Sequence, residues 1–172
     1  MKRKITMAVL VVVSTLLQCG AFHLIEVASV RPNLLVILTV SFGLMRGRKS
    51  GLLTGFACGL LCDLFYETIL GFHALLYMWI GYFAGYFYRI FYDDDIKTPL
   101  LLISVADLAY GVGYYVFTFL FRGRLHFFFY LGRIMIPEML YTMLLTIVVY
   151  RLLYHINQKL SGTDGRSIDG FV

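Results

Sequence analysis

From Ile5 to Tyr154 the chain is almost continuously apolar, and its few breaks carry Lys and Arg on alternate sides. This pattern constrains the fold more than any motif, because a bilayer core about 30 Å thick is crossed by about 20 apolar helical residues. Charges interrupt the chain at Lys2-Arg3-Lys4, Glu26 to Arg31, Arg46 to Lys49, Glu67, Asp93 to Lys97, Arg122 to Arg133 and from Arg151 onward. Between them lie six candidate spans: Ile5–Ala28, Pro32–Met45, Gly51–Leu70, Phe72–Tyr92, Pro99–Phe121 and Ile134–Tyr154. Only helices and closed barrels satisfy backbone polar groups in lipid, and runs this long are not period-two barrel strands. The expected fold is an all-α integral membrane protein, a single bundle of six transmembrane helices.

Charge sets the expected topology. With the N-terminus in the cytoplasm and six crossings, the inside holds Lys2, Arg3, Lys4, Arg46, Arg48, Lys49, Arg89, Lys97, Arg151, Lys159 and Arg166. The outside keeps Arg31, Arg122, Arg124 and Arg133, and this asymmetry follows the positive-inside rule. Pro32–Met45 is short enough for a re-entrant or tilted half-helix. If it did not cross, however, Lys2-Arg3-Lys4 and the Arg46–Lys49 loop would fall on opposite sides, which the rule disfavours. Both termini are therefore expected in the cytoplasm of a multi-pass protein of the bacterial cytoplasmic membrane.

With 60% hydrophobic and 15% charged residues, the 172-residue chain is read as one transmembrane domain over residues 1–156. Residues 157–172 are read as a short disordered cytoplasmic tail. The net charge of +5 is accounted for by cytoplasmic loops facing anionic lipid, so the bilayer is the expected partner and nucleic acid is not. Cys19, Cys58 and Cys62 fall inside the spans without a zinc-site pattern and are expected to pack as small apolar residues. Leu16-Leu17-Gln18-Cys19 is similar to a lipoprotein cleavage box. Gln18 is a poor fit there, and the apolar run continues past Cys19, so an uncleaved first helix is expected.

In the third span Gly51, Gly55 and Gly59 recur every four residues, and Asp63 and Glu67 continue the spacing. Small residues at this interval let another helix backbone approach closely, either within the bundle or from a partner protein. Gly81 and Gly85 form a lesser version on the fourth span. Ionisable groups inside spans are costly and point to function. Arg31, Asn33, Asp63, Glu67, His73 and Glu138 map toward the outer side, with His23, Glu26 and Arg133 near the rim, while Asp107 lies near the middle of the fifth span. The polar cluster suits either a helix-orienting ion-pair network, with Arg31 against Asp63, or handling of a proton or ligand. Tyr77, Trp79, Tyr82, Tyr86, Tyr88 and Tyr92 crowd the fourth span, those near Arg89 as an interfacial belt. Asp93-Asp94-Asp95 reads as a solvated turn before Thr98-Pro99 rather than a metal site.

Catalytic constellations are missing from the sequence. It has no His-Glu-x-x-His, no Gly-x-Ser-x-Gly elbow and no phosphate-cradling loop. Gly111-Val112-Gly113-Tyr114 lacks the aspartate of an intramembrane aspartyl protease. No cofactor is expected.

Arg31-Pro32-Asn33-Leu34-Leu35 opens the second span, and Gly43-Leu44 with Arg46-Gly47 closes it. Gly51 and Gly55 through Gly59-Leu60-Leu61-Cys62-Asp63-Leu64 follow, then Gly71-Phe72-His73-Ala74-Leu75 and Ile80-Gly81-Tyr82 with Gly85. This order resembles the rod shape-determining MreD family over roughly residues 1–160, departing from it at His73, where the family pattern has Asn in many members. The resemblance implies a non-enzymatic inner-membrane scaffold of the cell-wall elongation complex. Its partner would be an MreC-like membrane protein, and through that complex MreB-like filaments and the peptidoglycan polymerase and transpeptidase. The family also looks similar in fold to the six-helix substrate-binding subunits of energy-coupling-factor transporters, so the alternative is such a vitamin-binding subunit.

Overall fold

A helix that is apolar nearly all round has no side to show to water, and Leu34–Leu44, whose only polar side chains are the hydroxyls of Thr39 and Ser41, is such a stretch. In the computed structural model, which describes residues 2–20, 31–66, 71–89, 97–118 and 127–165, these eleven residues are all buried. The described elements are helices: α1 (Lys2–Cys19), α2 (Leu34–Arg46), α3 (Arg48–Tyr66), α4 (Phe72–Ala84), α5 (Lys97–Thr118), α6 (Phe127–Tyr130) and α7 (Ile136–Gly165). A 3-10 turn, Gly85–Arg89, prolongs α4, and a π-helical turn, Leu131–Met135, fuses α6 to α7. α2 is the axis, touching α1, α3, α4, α5 and α7. At about 20 Å it is shorter than a bilayer core. Its neighbours wrap it, so it need not match the lipid thickness.

Around this axis the usual soluble pattern is inverted. Leu53, Leu64 and Phe65 of α3, Trp79 and Phe83 of α4, Leu101 and Val105 of α5, and Leu144 and Val148 of α7 are all exposed. Thr15, Asn33, Thr39, Asp63, His73, Asp107, Thr142 and Thr146 are buried. An apolar exterior around a polar interior suits lipid, which rewards outward hydrocarbon and punishes outward polar groups. Several inner hydroxyls return their proton to the carbonyl one turn back: Thr15 to Val11 (2.8 Å), Ser41 to Ile37 (2.6 Å), Thr54 to Ser50 (2.8 Å), Ser104 to Leu100 (2.8 Å) and Thr146 to Thr142 (2.7 Å). This local bond satisfies a small polar side chain without a partner from another helix. By length and apolarity α5 and Leu131–Lys159 are sufficient to cross a membrane, while Ile5–Gln18 and Leu34–Arg46 are shorter apolar helices.

The closest helix contact is α3 on α4. A Cβ on Gly51 would collide with the Gly81 carbonyl, one on Gly55 with the Tyr77 carbonyl, and one on Gly59 with the Ala74 backbone. Gly43 of α2 meets the same strip, where an added Cβ would lie 3.0 Å from the Gly81 carbonyl oxygen. Gly51, Gly55 and Gly59 therefore face α4 within the bundle. Gly47, at φ 85°, is the left-handed residue that ends α2 and allows α3 to start one residue later. At that end Arg46 donates from Nε to Asn157 Oδ1 (2.9 Å), and the Arg48 guanidinium lies 3.2 Å from the Tyr86 ring centre. This basic end ties α2 and α3 to α7 and α4.

Two sequence boundaries are corrected. Residues from Phe127 to Arg133, expected as a break, are helical: Arg133 is exposed, its guanidinium 5.9 Å from the Phe129 ring centre, so its charge does not enter the bundle. The π-turn follows from Pro137, whose ring would press on the carbonyl four residues earlier; a wider turn, with the Ile136 N–H donating to the Leu131 carbonyl, makes room. At the far end α7 continues to Gly165, so residues 157–165 are helix rather than tail, with Asn157 anchored by Arg46.

The α3–α4 seam predicts that Gly55→Leu destabilises the bundle well beyond the 1–3 kcal/mol of ordinary overpacking, since the obstacle is backbone. Gly132→Ala, where an added Cβ meets nothing within 4 Å, should stay within about 0.5 kcal/mol of wild type. Thermal unfolding of the purified protein in detergent checks both; equal losses would contradict the seam.

Candidate functional site

The start of α2 is buried, so its first backbone N–H groups need acceptors from within the protein. Asn33, itself buried, is the N-cap. Its Oδ1 accepts from the Val36 N–H (3.2 Å) and from the Tyr77 hydroxyl of α4 (3.0 Å). The Asn33 N–H donates to Thr142 Oγ1 of α7 (3.0 Å). Gln18 of α1 bridges the preceding turn, accepting from the Leu34 N–H (2.9 Å) and donating to the Pro32 carbonyl (3.1 Å). Four helices thus meet at one residue pair, Pro32-Asn33. Leaving any of these donors empty would cost about 1–3 kcal/mol.

A second polar centre caps α4. Its N-cap is Gly71, at φ 101°, which has no side chain to offer the first turn. Asp63 of α3 substitutes: Oδ2 accepts from the Gly71 N–H (2.9 Å) and the Ala74 N–H (3.0 Å). Its Oδ1 accepts from the His73 N–H (3.0 Å) and lies 2.8 Å from His73 Nδ1. The carboxylate also sits at the positive end of the α4 dipole.

Aromatic rings connect the two centres. Tyr77 stacks on Tyr110 with centroids 4.9 Å apart and planes at 21°. The His73 ring lies 6.0 Å from Tyr110 and 5.9 Å from Tyr114. Beyond Asn33 is Asp107 of α5, buried and facing the side chains of Asn33 and Thr142. Glu138 of α7 is the next acid; it feels the Asp107 carboxyl and acts on Tyr110. Polar and aromatic side chains therefore follow one another through the bundle in the order Asp63, His73, Tyr77 with Tyr110, Asn33, Asp107 and Glu138.

The structure brings together Asn33, Asp63, His73 and Glu138 of the expected outer cluster through groups the sequence did not connect. Glu67, His23, Glu26 and Asp93 to Asp95 lie outside the described residues. The expected Arg31–Asp63 pair is corrected: both Asp63 oxygens are taken by Gly71, His73 and Ala74, because a glycine-capped helix start needs an outside acceptor. His73, where the family pattern departs, keeps a polar contact through Nδ1. Gln18, Tyr77, Tyr110 and Thr142 were missed. Thr142 and Thr146, one turn apart on an apolar helix, were the available signal for a polar inner face. Cys58 is buried and Cys62 half-buried. On the lipid side, Leu52, Met78, Trp79 and Tyr82 line an apolar cleft of about 280 Å³ between α3 and α4.

The sequence model described as rod shape-determining protein MreD matches residues 1–160. Neither curated proteins nor solved structures give a match.

The α4 cap predicts an order of losses. Asp63→Ala strands three backbone donors and should cost at least about 3 kcal/mol. Asp63→Asn keeps one oxygen acceptor and should cost less, and His73→Ala, which leaves the backbone bonds intact, less again. Melting temperatures in detergent give the order; His73→Ala as damaging as Asp63→Ala would contradict it.

Proposed function

This chain belongs to the MreD family of rod shape-determining membrane proteins, and on that premise we propose that it is a non-enzymatic scaffold of the cell-wall elongation complex. It crosses the bacterial cytoplasmic membrane six times with both termini inside, holds an MreC-like partner, and through it supports peptidoglycan synthesis alongside MreB-like filaments. The observation that carries this reading is the inverted bundle. Its buried polar side chains are turned inward, where Asn33, Asp63 and Thr142 join helices and several hydroxyls bond their own helix, while the outward faces of α1, α3, α4, α5 and α7 are apolar. A partner inside the membrane meets helix faces such as Leu53, Leu64, Trp79 and Phe83, where close packing replaces the missing hydrophobic drive.

Depletion from a rod-shaped host should round or swell the cells and release the MreC-like protein from its complex. Microscopy and co-purification measure the two effects. Normal cell shape after deletion, together with tight binding of thiamin, riboflavin or biotin by the purified protein, would overturn the scaffold in favour of a transporter subunit.

A further inference from the structure

Asp107 is 4% exposed, yet its Oδ1 has no hydrogen-bond partner. An unmatched carboxyl oxygen at this depth is among the most costly groups a membrane bundle can hold. Asn33 and Thr142 are the donors acting on the carboxyl. The Asn33 and Thr142 oxygens are already accepting, from Val36 and Tyr77 and from the Asn33 N–H respectively. A second acid, Glu138 of α7, feels the Asp107 charge. Met135, Glu138 and Thr142, at i, i+3 and i+7, share one face of the α7 rod. That face packs on α5, where the Met135 side chain fills the space beside Gly111, one turn beyond Asp107.

We infer that Asp107 and Glu138 bind one proton between them, forming a protonation site inside the bundle at the α5–α7 seam. The proton comes from water and forms an O–H bond on one carboxyl. That O–H donates to the other carboxylate, which supplies the missing partner at Asp107 and leaves the pair with a single negative charge in place of two. Glu138 is the half-buried member and is the way in; Asp107 is the enclosed one. The surrounding groups fit a proton better than an alkali cation. Among the described residues Asn33 faces the pair from α2, Tyr110 from α5 itself, Tyr130 from α6 and Thr142 from α7, and none of these four is basic. From α4, Tyr77 reaches it through Asn33, while His73 is committed to Asp63. A metal cation wants several free oxygens, and the Asn33 and Thr142 oxygens are taken.

Infrared difference spectroscopy and thermal unfolding of the purified protein, titrated from about pH 5 to about pH 9, test the inference. Wild type should show a protonated-carboxyl C=O band that disappears as the pH rises. Its melting temperature should fall over the same range, since a proton held by the folded state stabilises it only while bound. Asp107→Asn, which replaces the O–H by an N–H donor, should lose the band and flatten the melting profile. Should that variant not fold, Glu138→Gln reads the same pair from its accessible side. No protonated-carboxyl band in wild type, or a band unchanged by the substitution, overturns the inference. So does sodium that displaces the band at constant pH and stabilises wild type but not the variant, because the site would then be an alkali-cation site.

Discussion

The rest of the structure depends on the buried start of α2. A helix end has backbone donors without intrahelical acceptors, and no water is available at this depth to take them. Asn33 and Gln18 receive two of them, and Thr142 receives the N–H of the cap itself. Because these acceptors come from α1 and α7, and because Asn33 also receives the Tyr77 hydroxyl of α4, satisfying one helix end fixes the positions of three others. Asp63 does the same for α4, whose own cap residue is a glycine. Three acceptors borrowed from neighbouring helices, Gln18, Thr142 and Asp63, thereby convert a set of apolar rods, which lipid alone would not arrange, into a defined bundle.

Packing then follows from the absence of side chains as much as from their presence. The glycines of α3 and α4 bring two backbones together where a single Cβ on either would collide. In lipid, where burying hydrocarbon brings little, this closeness supplies the dispersion that holds the helices together. With small residues at the α3–α4 contact, the large apolar side chains are left outward, and the outer surface becomes available to a membrane partner.

What the sequence made legible was one-dimensional. The helical runs, the breaks at Arg46 to Lys49, and the four-residue spacing of Gly51, Gly55 and Gly59 are local, so periodicity and charge expose them. Which helix the glycines face is not local. Asn33 and Thr142 are 109 residues apart, and nothing in either neighbourhood names the other. Asp63 was placed at the correct end of its helix but given the wrong partner: adjacency of span ends suggested Arg31, whereas the empty cap at Gly71 determines where the carboxylate goes. Asp107 was conspicuous as an acid in an apolar run, but its relation to Glu138 emerges only when α5 and α7 are packed together. The end of α7 was misjudged because its polar residues suggest a tail, while the Arg46–Asn157 bond supports helix.

The central claim is that borrowed acceptors hold the α2 start, and through it the bundle. Amide hydrogen exchange along Leu34 to Leu38, compared between wild type and Asn33→Ala in lipid nanodiscs, tests it most directly. Strong protection in wild type is predicted. In the variant, protection should be lost at the start of α2 and reduced in the segment of α4 that contains Tyr77. Rapid exchange of these amides in wild type, or a loss in the variant confined to Val36, would contradict it.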